Sequence, residues 1–176
     1  HCARLCHAST VAGLAATVGS GAMTNSIGDI AQSKCCFILG SNTFEQHPLI
    51  GRRVMQAKMN GAKIIYADPR FTPTGKQADL YMQFRSGSDV AILNGMMQEI
   101  IRNGWEDKEF VKNRTKDFDK LKEYIADKTP EAMGKIAGVE PDVIRKLAEE
   151  CAKAPAVGVD SFKGIMLGQA LDWGHA

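Results

Sequence analysis

The stretch that most restricts the possible folds runs from Cys35 to Arg70. "CCFILG" (35–40) is short and almost wholly apolar, "HPLIGRRVMQAKMNG" (47–61) has apolar residues at helical spacing, and "AKIIYADPR" (62–70) is a second apolar run ending in a turn. Short apolar runs bounded by turn residues suit strands buried on both faces. Two of them joined by a helix within about thirty residues form the pattern of a right-handed parallel crossover. Pro48 fits the first turn of that helix, where its missing N–H costs nothing, and Gly61 fits its stop.

Around this unit the chain continues to alternate. Ser9 to Val18 is rich in small residues and predicts a short helix ended by "GSG" at 19–21, while "LYMQF" (80–84) predicts a third strand. "SGSD" (86–89) then turns the chain into a helix from Val90 to Asn103, with Ser88 or Asp89 as its cap. "DKEFVKNR", "DFDKLKEYIADK", "TPEAMGKIAG" and "EPDVIRKLAEECAKA" are helical and charged, with Pro130 and Pro141 each in a first turn. From Asp107 to Ala154 this reads as a solvated helical layer over the sheet. The predicted fold class is α/β, a parallel Rossmann-like three-layer sheet with a helical C-terminal extension. Its parts are residues 1–34, the α/β domain 35–156 and a tail 157–176.

Composition narrows the partners. Across 176 residues the net charge is +2, which implies no extended polyanion and hence no nucleic acid. No apolar run approaches the roughly 20 residues needed to cross a bilayer, and no secretory pattern is present. Five cysteines are odd in number and too sparse for a disulfide scaffold, so a reducing, cytoplasmic setting is expected. Cys35 and Cys36 read as small hydrophobes in a core strand, and Cys151 as a core residue on the apolar face of its helix with Val143, Ile144, Leu147 and Ala148.

In open parallel sheets, ligands gather where the carboxyl ends of strands meet loops and helix N-termini. Three segments occupy such places: "GSNTFEQ", "DPRFTPTG" and "SGSD". Gly40 allows close backbone approach, Asn42 carries donor and acceptor, and Asp68 can accept two ribose hydroxyls. Arg70 can grip phosphate in a fork, and Asp89 can accept from a guanine edge. Together they suggest a nucleotide site. Each also has a structural reading: Gly40 as a strand-exit turn, Asp68 with Pro69 as a turn starter, Asp89 as a helix cap. "GSGA" (19–22) lacks the third glycine of a dinucleotide fingerprint and follows no strand, so it is set aside.

The opening "HCARLCHAST" holds two cysteines four positions apart, a poor match to structural zinc spacing. Cys6 beside His7 at a helix start is different, because free N–H groups and the helix dipole favour thiolate. On these grounds alone Cys6 is either a reactive or ligating thiol or a core thiol beside a polar neighbour.

The runs "RLCHASTVAGLAATVGSGAMTNSIGDI", "FILGSNTFEQHPL", "NGAKIIYADPR" and "SGSDVAILNGM" resemble, in order and spacing, the catalytic subunit of molybdenum- or tungsten-dependent formate dehydrogenases of the molybdopterin oxidoreductase superfamily. The resemblance covers about residues 2 to 155. It implies that Cys6 ligates the metal and that His7, with an ordinary pKa of about 6.5, handles protons. It further implies that Gly40, Asn42 and Glu45 contact one guanine dinucleotide arm of a bis-pterin cofactor, that Asp68, Pro69 and Arg70 hold its ribose and phosphates, and that Gly87, Ser88 and Asp89 read its guanine.

The implied reaction is reversible oxidation of formate to carbon dioxide, with an electron-transfer subunit as partner in the full enzyme. The family's subunits are several times longer. Their 4Fe–4S cluster domain would precede His1, and their substrate arginine and second pterin domain would follow. A non-catalytic pterin- or nucleotide-binding module, with Cys6 structural, is the alternative. The tail beyond Ala156 departs from the family pattern.

Overall fold

The computed structural model describes residues 8–21, 26–154 and, as backbone only, 165–167. Elements are numbered in chain order among these residues. They form two compact units, one holding the elements up to Tyr81 together with the last strand, the other starting at Met82 and ending with the last helix.

The first unit contains helix α1 (Ala8–Val18), a 3₁₀ turn (Ile27–Gln32), strand β1 (Cys35–Leu39), a single helical turn α2 (Thr43–Gln46), helix α3 (Pro48–Met59), strand β2 (Lys63–Ala67), strand β3 (Leu80–Met82) and strand β4 (Ile165–Leu167). The sheet order is β3-β2-β1-β4, and β1 pairs in parallel with both its neighbours. A strand flanked on both sides and buried on both faces must be apolar throughout, and all five residues of β1 are buried.

Register decides which of them meet the helix. Cys36 lies opposite Ile64 and Ile38 opposite Tyr66, so with the twofold period of a strand these four share a face. Ile50, Val54 and Ala57, one side of α3, close over that face with Ile30 from the 3₁₀ turn. The ends of α3 follow the local signals: Pro48 opens it, and Gly61 follows it at φ 87°, where a side chain would be strained.

The expectation for Cys35 and Cys36 holds, since both are buried in the core strand β1. Cys36 Sγ lies 2.9 Å from Ser33 Oγ. Burial pushes the Cys36 thiol up to about 11, against a smaller downward pull from Ser33 and with a further upward push from Cys35. Folding therefore favours the protonated thiol, and this contribution is intact below about pH 9 and lost as pH rises toward 11. The expected size is about 2 kcal/mol near pH 11. Urea unfolding at pH 7 and pH 11 should show that difference in the native chain relative to Cys36→Ala; equal pH dependence in both would refute it.

The second unit is helical: α4 (Asp89–Arg102), α5 (Lys108–Arg114), α6 (Phe118–Ile125), α7 (Pro130–Ala137) and α8 (Pro141–Lys153). Around α4, whose Ile92 and Met96 point inward, gather Met133 and Ala137 of α7 and Ile144, Leu147 and Ala148 of α8. Gly95 permits this approach, because a Cβ there would stand 3.2 Å from Met133 Cβ and 3.3 Å from Ile144 Cγ2. Local capping agrees with the packing. Thr129 Oγ1 accepts from the Ala132 N–H at 3.3 Å, Pro130 starts α7, and Gly138 ends it in the left-handed region. The charged segment thus has its own apolar centre, and the Glu99 carboxylate, only 4% exposed, is held there by Arg102 Nη2 at 2.9 Å and Asn103 Nδ2 at 2.8 Å.

Two expectations need correction. Cys151 is half-buried rather than core, because the buried stripe of α8 ends at Ala148 one turn earlier. The third strand is shorter than "LYMQF", stopping at Met82.

Candidate functional site at the strand ends

The exits of β1 and β2 lie side by side. Gly40, at φ 63°, donates its N–H to Ala67 O at 2.9 Å, carrying the ladder one residue beyond β1 and setting Gly40 next to the start of the Asp68 turn. Only glycine adopts that backbone conformation cheaply.

Beyond Gly40 the predicted open loop is partly helical. Thr43–Gln46 forms the turn α2 with Asn42 at its start, and Ser41 Oγ and Thr43 Oγ1 bond each other at 2.8 Å inside the protein. Asn42 Nδ2 donates to Glu45 Oε2, so two of the predicted contact residues are joined. Asn42 Oδ1 accepts from Thr74 Oγ1 at 3.2 Å, and the same Thr74 oxygen accepts the Phe44 N–H at 3.1 Å.

Thr74, fully buried, therefore ties the β2 exit loop to the β1 exit. Local sequence rules do not reveal it. The partners are 30 and 32 residues away, and the only signal was a second threonine in "DPRFTPTG". Thr74→Val keeps the shape but removes both bonds. Unfolding in urea should show a loss of about 1–2 kcal/mol; a change below about 0.3 kcal/mol would mean the bonds contribute nothing net.

At the β2 exit Asp68 is buried and its Oδ1 accepts the Arg70 N–H at 2.7 Å. This is the side-chain turn that Asp makes with the backbone two residues on, so the structural reading of Asp68 with Pro69 as a turn starter holds. The second carboxylate oxygen is not part of that bond, and the Arg70 and Phe71 side chains are exposed beside it.

Gly87, Ser88 and Asp89 belong to the second unit. Gly87 stands at φ 81° with nothing within 4 Å of where a Cβ would be. Ser88 occupies the position before α4, but its hydroxyl donates to Arg85 O instead of capping the helix; Asp89 is the first helical residue. Cys2, Cys6 and His7 lie outside the described residues. Among the described residues no group of three or more His, Cys, Asp or Glu could hold a metal ion. A cavity of about 580 Å³ opens at the junction of α2 and α3, lined by Ile27, His47, Leu49, Arg52 and Arg53 among others.

A parallel sheet with polar, tightly bonded turns at the carboxyl ends of adjacent strands defines an α/β protein, a class in which ligands gather at such strand ends. The chain belongs to the molybdopterin oxidoreductase family, which it matches over residues 1–172. It is 52% identical over 165 residues, 94% of its length, to the F420-dependent formate dehydrogenase 1 subunit alpha of Methanococcus maripaludis, and spans 24% of that protein. It is 39% identical over 158 residues to formate dehydrogenase H of Escherichia coli, covering 90% of this chain and 22% of that one. Among solved structures it is similar to acetylene hydratase from Pelobacter acetylenicus, with a TM-score of 0.80 and 26% identity across 97% of this chain and 22% of the other. The chain thus spans about a quarter of the length of these relatives.

Proposed function

We propose that this chain is the part of a formate dehydrogenase catalytic subunit that provides the metal-ligating thiolate, from Cys6, and holds one guanine dinucleotide arm of a molybdenum or tungsten bis-pterin cofactor. The observation that carries the reading is 52% identity along 94% of the chain to a formate dehydrogenase alpha subunit. Fold alone would not assign the reaction, since a structural neighbour bears the name of a hydratase.

The residues present suit such a group. Asp68, one of whose carboxylate oxygens accepts the Arg70 N–H in its own turn, is of the residue type that accepts ribose hydroxyls. Arg70 extends from the same turn as a fork for phosphate. Gly40 brings backbone close to the ligand, and the Asn42–Glu45 pair offers amide and carboxylate to hydrogen-bonding edges. Gly87, Ser88 and Asp89 would read the guanine, Asp89 as acceptor. Cys6 would ligate as thiolate, a soft donor suited to the metal, and His7 would take up the proton released from formate. The bound cofactor would supply a two-electron acceptor, formate yielding carbon dioxide, one proton and two electrons. Those electrons would leave through a 4Fe–4S cluster in another part of the subunit and then an electron-transfer subunit. No helix among the described residues is long and apolar enough to cross a membrane.

The test is the full-length subunit purified without oxygen. Formate should reduce a viologen dye, and molybdenum or tungsten should co-purify with guanine nucleotide released on acid hydrolysis. A metal-loaded subunit that leaves the dye oxidised in formate, or a subunit free of both metal and guanine nucleotide, would overturn the reading.

A further inference from the structure

The loop from Asp68 to Gly75 is built around two tyrosines that sequence reading passed over. Tyr66 in β2 and Tyr81 in β3 stack with ring centroids 5.7 Å apart and planes 21° apart, and Phe71 meets Tyr81 edge-on at 5.1 Å. The loop presses directly on this post: a Cβ on Gly75 would lie 2.9 Å from Tyr66 Cδ1.

Both phenol groups are spent on the loop. Tyr81 donates its hydroxyl to Asp68 O at 3.1 Å, and Tyr66 Oη pairs with Thr72 Oγ1 at 2.7 Å in the interior. Burial, with Asp68 close by, raises both phenols above their ordinary range, which is itself well above neutral pH. Apolar contact alone would be served by phenylalanine at both positions, buried Tyr66 and half-buried Tyr81, without hydroxyls that must find partners. Here both find them within five residues of each other, and one partner is the carbonyl of Asp68 itself. That residue's carboxylate is oriented by the Arg70 N–H, so its aim depends on the backbone that Tyr81 holds.

We propose that Tyr81, supported by Tyr66, is a positioning residue that presets the Asp68–Arg70 turn to receive the ribose and phosphate of the cofactor nucleotide. The inference rests on the reading of that turn as a nucleotide contact. A ligand group that finds its partners already ordered loses less freedom on binding, so the effect falls on retention of the cofactor.

The experiment uses the full-length subunit and follows release of guanine nucleotide and metal during dialysis, together with thermal unfolding. Tyr81→Phe keeps the stacked ring and removes only the hydroxyl. Release should quicken about fivefold, the factor set by one neutral hydrogen bond of about 1 kcal/mol, with activity falling in proportion to the metal retained. Tyr66→Phe should act in the same direction and serves if the first variant fails to fold. A merely structural role would lower the unfolding midpoint and leave release unchanged, and that result overturns the proposal. Asp68→Asn separates the two levels. If it too leaves release unchanged, the nucleotide reading of the turn fails; if it speeds release while both tyrosine variants do not, only the positioning role fails.

Discussion

Cys6→Ala in the full-length subunit will lower formate-dependent dye reduction by at least about a thousandfold, equivalent to roughly 4 kcal/mol of transition-state stabilisation. The size follows from the role proposed. A thiolate ligand would supply negative charge and a soft donor to the metal, and alanine replaces it with nothing that can bind. Cys2→Ala, four residues away in "HCARLCHAST", should turn over at the native rate, because it is the pairing of Cys6 with His7 that matches the resemblance. Cys6→Ser offers a harder oxygen donor and should fall between the two. Dye reduction by Cys6→Ala within tenfold of the native enzyme would remove Cys6 as ligand and favour a structural thiol.

Gly134→Ala will destabilise the chain by about 3 kcal/mol, against the direction helix propensity suggests. Alanine in a helix interior is favoured over glycine by about 1 kcal/mol, and Gly134 lies in the middle of α7. The added methyl, however, would stand 2.5 Å from Val139 O. That oxygen is backbone in the chain's return from α7 to α8, and Val139 N–H is already bonded to Gly134 O at 3.0 Å, so neither side can shift without breaking the turn. Forced overpacking of this kind costs about 1–3 kcal/mol and more where backbone must move, which outweighs the propensity gain. For a unit of this size the midpoint of thermal unfolding should fall by more than about 10 °C. A midpoint equal to or above that of the native chain would show that the turn relaxes freely.

The parts of the fold legible in the sequence were those whose cause is local. Five consecutive apolar residues at Cys35–Leu39, Pro48 and Gly61 around α3, and Thr129, Pro130 and Gly138 around α7 each act through the chain's own next few residues. The same holds for the Asp68 turn, whose bond to Arg70 N–H spans two positions. The candidate site was proposed from residue type and place alone, since strand exits in a parallel sheet are where polar groups converge.

Misreadings arose where a distant partner decides. "GSNTFEQ" becomes partly helical, with its turn anchored by Thr74 some thirty residues on. Ser88 is a local exception: it has the right type and place for a cap, yet its hydroxyl turns back to Arg85 O three residues earlier. Cys151 shares a helical stripe with Leu147 and Ala148, but the packing of that stripe ends before it. Periodicity shows which side chains share a face and is silent on how far along the helix the neighbour extends.

The sequence by itself determined the alternation of strands and helices, the places of the three segments proposed to meet a nucleotide, and the opening Cys6–His7 pair, because apolar period, glycine, proline and Asx chemistry act over one to four residues. Only the tertiary structure decided that Tyr66 and Tyr81 stack beneath the Asp68 turn, that Thr74 links it to Asn42, and that Gly134 has no room for a methyl. Those outcomes depend on register and on backbone approach between segments far apart in the chain, and a one-residue change of register would send every one of the strand side chains to the opposite face.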